Sequence, residues 1–225
     1  MLYDGIILER RSEFSLYLSS WFKKNCRVFP WRKTHNPYKV FIAEVLLRKT
    51  SVVNVLIVYE SFVGKYPDFQ SLAKASLTDL ENELKPLGLY RLRAKQLIQS
   101  AKIIVTKFSG QLPNSKNQLL ELPGVGNYIA NAVLCFAFDQ KLPILDTNVI
   151  RVISRAFSFK SRRKRARDDP IMWQVATRLV PDNSVRSFNF ALLDLASIIC
   201  LPKNPKCPLC PLVSLCDYGQ EVAEK

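Results

Sequence analysis

Four cysteines near the end of the chain constrain what it can become more than any other feature. Cys200, Cys207, Cys210 and Cys216 stand in the pattern C-x6-C-x2-C-x5-C within seventeen residues, interleaved with Pro202, Pro205, Pro208 and Pro211. Thiols bunched this tightly make either a disulfide scaffold, which belongs to secreted chains, or a metal site. Residues 1–11 mix charges into their apolar positions and do not read as a signal peptide, and no stretch approaches the roughly 20 uninterrupted apolar residues of a membrane span. The expectation is therefore a soluble, cytoplasmic protein that holds a metal group. Structural zinc usually takes two close cysteine pairs, and only Cys207 and Cys210 are close here. Unequal spacing around one pair suits a [4Fe-4S] cluster held by one loop better than zinc, with free thiols as the third reading. Cys26 and Cys135 stand alone in apolar surroundings and read as small buried hydrophobes.

The fold does not need these cysteines for bulk stability. A chain of 225 residues with 48% apolar and 23% charged residues has the composition of a globular protein and can bury a substantial core, which excludes a disordered tail. Helical spacing runs through Phe14, Leu18, Trp21 and Phe22, through Val52, Val55, Leu56, Tyr59, Phe62 and Val63, and through Ala94, Leu97, Ala101, Ile104, Val105 and Phe108. Ser76 followed by Asp79 reads as a capping box, and Pro86 with Gly88 ends the helix that follows. Strand alternation is nowhere sustained and no repeat is visible, so the chain is expected to be all-α.

Charge narrows the function. With 33 Lys and Arg against 19 Asp and Glu the chain carries +14, which asks for a polyanion such as nucleic acid, or else an acidic membrane surface. Lys160, Arg162, Arg163, Lys164, Arg165 and Arg167 put six cations into eight residues, either as a solvated loop or as a phosphate contact. A hairpin points to nucleic acid: Leu122-Pro123-Gly124-Val125-Gly126 lies between a short helix over 115–121 and an apolar helix over 127–137. Glycines allow a tight turn and leave amides bare at a helix N-terminus, where a phosphate oxygen is favoured. By itself the turn could equally be a plain corner between helices.

Three carboxylates are out of place for a solvated surface. Glu44 and Asp194 each interrupt an all-apolar helical run, so each is either a buried acid satisfied by its surroundings or a group lining a cleft with a raised pKa suited to proton transfer. Asp146 precedes a helix through Val149, Val152, Ile153 and Ala156, where an N-cap is the plain reading.

Taken in order, helix, hairpin, helix, an aspartate twenty residues beyond the last hairpin glycine, and the C-x6-C-x2-C-x5-C cluster resemble the helix-hairpin-helix DNA glycosylases of the endonuclease III superfamily. The resemblance runs from Phe29-Pro30-Trp31-Arg32 to Cys216. It implies two helical domains, a six-helix barrel with the hairpin over residues 30–140 and a terminal domain of residues 1–29 and 141–225 carrying the [4Fe-4S] loop. Between them it implies a cleft for a nucleotide flipped out of double-stranded DNA. It implies that Gly124, Val125 and Gly126 contact DNA together with Arg48 and Lys49, and that Leu89 serves as a wedge. It also implies that Asp146 stabilises a developing oxocarbenium charge, that Glu44 manages water or a proton, and that Tyr128 packs on the target base.

Strand-cutting relatives carry a lysine nucleophile where this chain has Tyr128, so without that amine the resemblance implies a monofunctional enzyme. Thymine/uracil mismatch glycosylases acting opposite guanine are most similar, through Tyr128 and the run Glu44-Val45-Leu46-Leu47-Arg48-Lys49-Thr50. Adenine-mismatch glycosylases share Pro37-Tyr38-Lys39-Val40 and Glu44 but usually show a serine at Tyr128, glutamines at Arg48 and Lys49, and a further C-terminal domain. The nine residues after Cys216 leave no room for that domain. An adenine enzyme without it, or a non-catalytic DNA-binding protein of the same fold, are the alternatives. The expected particle is a monomer in the nucleoid, with no membrane partner.

Overall fold

The structure is a computed structural model and describes residues 4–223; the first three and last two residues of the expected terminal domain lie outside the described residues. Twelve α-helices and no strand are found among the described residues, so the fold is all-α. The helices are α1 (Asp4–Asn25), α2 (Pro37–Leu47), α3 (Val52–Lys65), α4 (Phe69–Ala73), α5 (Leu77–Leu84) and α6 (Tyr90–Lys107), followed by α7 (Lys116–Leu120), α8 (Asn127–Phe138), α9 (Thr147–Ala156), α10 (Pro170–Leu179), α11 (Val185–Ile198) and α12 (Asp217–Ala223). None is long and apolar enough to cross a membrane.

The chain forms two compact units, one of Val28–Phe138 and one of Met1–Arg27 with Asp139–Lys225. The Val28–Phe138 unit holds seven α-helices, two of them only five residues long, where the resemblance implies a six-helix barrel. Its helices start where local chemistry demands. Asn36 accepts the Lys39 amide at 3.0 Å, with Pro37 presetting the first turn of α2. Ser51 caps α3 in the same way. The reciprocal capping box falls on Asp68 and Ser71, at the start of α4. Ser76 accepts the Asp79 amide at 3.4 Å, and since an aspartate is a methylene shorter than the usual glutamate, only this one bond is made there. Helix α2 packs against α3 and α8, while α6 packs against α4 and α5. Phe41, Ile42, Leu46, Phe62 and Phe136 fill the interior.

In the other unit α1 lies against α10 and α11, and α9 lies against α11 and α12. Phe14 of α1 is closed in by Phe157 and Phe188, with ring centroids 5.6 and 6.4 Å away. Cys135 is buried as expected, but Cys26 is exposed, because it falls just past the last residue of α1, between Asn25 and Arg27, where the chain leaves the helix.

Candidate functional site

The hairpin between α7 and α8 is anchored by what it buries. Leu122 and Val125 are 2% and 8% exposed, and the Val125 amide closes the turn onto the Leu122 carbonyl at 3.0 Å. Gly124 has φ +83°, a conformation that costs any other residue roughly 1–2 kcal/mol. It is needed for a second reason: a Cβ there would lie 2.5 Å from Gln96 Oε1 and 2.8 Å from Arg48 Nη1. Gly126 differs. Its φ is not positive and nothing lies within 4 Å of the place a Cβ would take. The exposed space beside it opens onto the first turn of α8, where Tyr128 is half-buried. The helix leading in is shorter than expected, with Ser115 and Glu121 flanking α7 as its end positions.

Glu44 lies on α2, the helix packed against α8, and is 3% exposed. The turn that follows α2 carries Arg48, half-buried, and Lys49, exposed and left-handed at φ 55°. Arg48 is fastened to the hairpin, donating from Nη1 to the Gly124 carbonyl at 2.9 Å and from Nη2 to Gln96 Oε1 at 2.6 Å, and burial lowers its pKa. Leu89 precedes α6 at φ 49° and is 53% exposed. A leucine both strained and exposed costs stability twice, which makes its loop a candidate contact surface.

In the unit that carries both chain ends, Asp146 caps α9. Oδ1 accepts the Asn148 and Val149 amides at 2.9 and 2.7 Å, and Oδ2 accepts from Asn148 Nδ2 at 2.7 Å. Asn148 Oδ1 in turn accepts from Arg151 Nη1 at 3.1 Å. Arg151 also donates from Nε to the Cys200 carbonyl at 2.8 Å and from Nη2 to the Ala196 carbonyl at 2.9 Å. The carboxylate is thus tied by two side chains to the cysteine loop.

All four cysteines of the C-x6-C-x2-C-x5-C pattern line one pocket, together with Arg155, Ile199 and Tyr218. Among the described residues no three His, Cys, Asp or Glu side chains are gathered closely enough to hold a single metal ion. The sulfurs nonetheless have the partners a thiolate cluster wants. Arg155 Nη1 donates to Cys200 Sγ at 3.3 Å, the Gly219 amide donates to Cys216 Sγ at 3.3 Å, and the Arg155 guanidinium lies 4.8 Å from the Tyr218 ring centre. Burial pushes the Cys207 and Cys216 thiols up and Cys210 to about 12, a cost that a cationic cluster would offset by neutralising the thiolates. The donor set therefore fits an iron–sulfur cluster.

The second buried acid belongs to a different job. Asp194 is fully buried and accepts from Arg27 Nε at 2.6 Å and from the Arg27 amide at 2.9 Å, which makes it an ion-paired cross-link between α11 and the end of α1. All six cations of the 160–167 run are exposed, and Arg165 pairs with Asp168 at 2.7 Å.

Sequence reasoning passed over Asn148, Arg151, Arg93, Gln96 and Ser100. Arg93 is fully buried, and with Gln96 and Ser100 it forms a polar row at helical spacing beside the apolar face of α6. The signal was present as three polar residues at i, i+3 and i+7 within an otherwise amphipathic helix.

The family model of HhH-GPD superfamily base excision DNA repair proteins matches residues 42–173. The chain is similar to the thymine-DNA glycosylase of Aeropyrum pernix, 44% identical over 191 residues that cover 84% of this chain and 86% of that one. It is 36% identical to the thymine/uracil-DNA glycosylase of Methanothermobacter thermautotrophicus over 220 residues, covering 98% and 99% of the two chains. Among solved structures, a thermostable thymine-DNA glycosylase superimposes with a TM-score of 0.89 at 35% identity, over 95% of this chain and 98% of that one.

Proposed function

The chain belongs to the HhH-GPD superfamily of base excision DNA repair proteins, and from that premise we propose that it is a monofunctional DNA glycosylase that hydrolyses the N-glycosidic bond of thymine or uracil opposite guanine. The observation that carries this reading is its likeness, over 84–98% of this chain and 86–99% of theirs, to glycosylases whose names give thymine and uracil as targets. It works as a monomer on mismatched double-stranded DNA.

Each role follows from chemistry. As the base leaves, positive charge develops on the deoxyribose, and the ionised carboxylate of Asp146 stabilises it. Asn148 holds Oδ2 of that carboxylate in one orientation. Glu44, walled in by the apolar residues of α2, manages the water or the proton on the leaving base, so the two acids divide the work as in other glycosyl hydrolysis. Tyr128 packs on the extruded pyrimidine. It offers no amine, and α8 contains no lysine, so no Schiff base with the sugar forms at this position. The amides of Gly124, Val125 and Gly126 take a phosphate, Leu89 fills the gap left in the stack, and Arg48 and Lys49 face the strand opposite. Cys200, Cys207, Cys210 and Cys216 hold a [4Fe-4S] cluster. When bound, that group supplies a rigid cross-link for the loop that presents the exposed Lys203 and Lys206 to DNA.

Single-turnover assays on duplexes with G·T, G·U, A·G and A·8-oxoguanine test the proposal, with strands analysed before and after alkali. Excision from G·T and G·U that appears as breaks only after alkali is expected. Excision from the adenine pairs alone would move the chain to the adenine-mismatch reading, nicking without alkali would overturn the monofunctional assignment, and no excision from any duplex would leave a DNA-binding protein. Purified protein is expected to be brown, and a colourless protein with one zinc per chain would remove the cluster.

A further inference from the structure

Helix α6 does more than pack. Arg93, Gln96 and Ser100 share one face of it; Arg93 and Ser100 reach backbone carbonyls elsewhere in the Val28–Phe138 unit, and Gln96 reaches the Arg48 side chain. Arg93 Nη1 donates to the Val45 carbonyl in the last turn of α2, and Nη2 donates to the Arg48 carbonyl at 3.0 Å and to Thr50 Oγ1 at 2.9 Å. Thr50 Oγ1 in turn donates to the Leu87 carbonyl at 2.8 Å, two residues before Leu89. Gln96 Oε1 receives Arg48 Nη2, whose Nη1 holds Gly124, and Ser100 Oγ donates to the Pro123 carbonyl at 3.3 Å.

Arg93 is an expensive residue to place here. It is fully exposed to none of the solvent, its acceptors are a hydroxyl and two carbonyls with no carboxylate among them, and its Nε has no partner. A buried cation without a counter-charge is tolerated when it does something an apolar residue of the same volume cannot. What it does is visible in the partners: it gathers orphan carbonyls at the end of α2 and fixes the turn of residues 48–50. Three loops are joined by these bonds, 48–50, 87–89 and 122–126. The first two each present a left-handed non-glycine residue, Lys49 and Leu89, which is exposed.

We propose that the polar row Arg93, Gln96 and Ser100, with Thr50, fastens these three loops into one rigid reader, and that Gln96 and Thr50 are positioning residues that set which base is accepted opposite the excised one. The selectivity part rests on the glycosylase reading above. The fastening part does not. Held apart, each loop would bend to either partner base; held together, Arg48, Lys49 and Leu89 keep one spacing and reject the pair that does not match it.

Two shape-conserving variants test it, Thr50→Val and Gln96→Leu, in the full chain. By hydrogen–deuterium exchange, Thr50→Val is expected to raise exchange in 48–51 and 87–90 together, and Gln96→Leu in 48–51 and 122–126 together, by at least roughly five- to tenfold, since Thr50→Val loses the bonds to Arg93 and Leu87 and Gln96→Leu loses the one to Arg48. In single-turnover assays the ratio of uracil excision opposite guanine to that opposite adenine is expected to fall by a similar factor, while the G·U rate at saturating enzyme stays near wild type. Faster exchange confined to the substituted turn overturns the fastening. Coupled exchange with an unchanged ratio overturns the positioning role, as does an equal loss on both duplexes that tracks the melting temperature. A wild type that excises neither uracil defeats the glycosylase reading instead, and the exchange result still decides the fastening.

Discussion

Two glycines of the hairpin, two residues apart, should answer the same substitution in opposite ways. Gly124→Ala forces an alanine to φ +83°, at roughly 1–2 kcal/mol. Its methyl group would meet Gln96 and Arg48 at 2.5–2.8 Å. Both contacts are ends of flexible side chains, so they swing away instead of clashing, and what is lost is the Arg48 bonds to Gly124 and Gln96. A hydrogen bond to a charged group contributes roughly 1.5–3 kcal/mol when buried, and the half-exposure of Arg48 places this loss at or below the lower end. The total is about 3 kcal/mol, which for a protein of this size lowers Tm by roughly 6–12 °C. Gly126→Ala meets no neighbour and no positive φ, so Tm should move by less than about 2 °C. Its methyl group instead stands in the open space before α8, and affinity for DNA should fall at least several-fold. Thermal melts of both variants beside fluorescence anisotropy with a labelled duplex make the comparison. The reasoning fails if Gly124→Ala melts with the wild type, or if Gly126→Ala costs as much stability as Gly124→Ala.

Two of the three acids out of place in the sequence, Asp146 and Asp194, should separate when melting is set beside excision. Asp146→Asn keeps the cap through one oxygen and gives up the bond that Oδ2 accepts from Asn148, a loss of about 1 kcal/mol, so it should melt slightly below wild type and bind mismatched DNA while losing most excision; normal excision would reduce Asp146 to a cap. Asp194→Asn strips the charge from the partner of Arg27, whose side chain is 28% exposed, and should cost roughly 2–3 kcal/mol with the excision rate at saturation preserved. Neutralising Arg162, Arg163, Lys164 and Arg165 together should leave Tm unchanged and reduce the slope of log affinity against log salt by about 0.9 for each phosphate lost, whereas an unaltered slope would make the run a solvated loop. Asp169 caps α10 and is held below the usual carboxylate range by the Ser161 hydroxyl first and the Ile171 amide after it. A depressed carboxylate stabilises the fold above its unfolded pKa and loses that contribution as pH falls through the folded one. Asp169→Ala should therefore cost about 1 kcal/mol at pH 7, with the difference from wild type in urea melts shrinking only below about pH 4; a constant difference would contradict the assignment.

What was legible in the sequence was whatever depends on neighbours a few residues away. The helices follow from apolar spacing and from caps such as Ser76 and Asp146, because a helical turn is closed by bonds between residues four apart. The C-x6-C-x2-C-x5-C spacing and the Leu-Pro-Gly-Val-Gly hairpin were legible for the same reason, being chemistry complete within a short segment. Cys26 shows where this fails: read as a small buried hydrophobe, it is exposed between Asn25 and Arg27, where α1 has ended.

The tertiary structure alone decided which partner each buried polar group received. Glu44 and Asp194 look alike as acids in apolar helices, and nothing near Asp194 in sequence announces Arg27, which arrives beside it from 167 residues away. Arg48 reads from sequence as a free cation for DNA, yet Gly124, 76 residues on, holds it to the hairpin. Arg93 and Gln96 looked like ordinary polar positions on a long helix until the turns at 48–50 and 122–126 packed against them. A helix costs little to specify because its bonds are local, whereas a buried charge must be satisfied by whatever the packing of distant segments brings within about 3 Å, and no pattern along the chain records that distance.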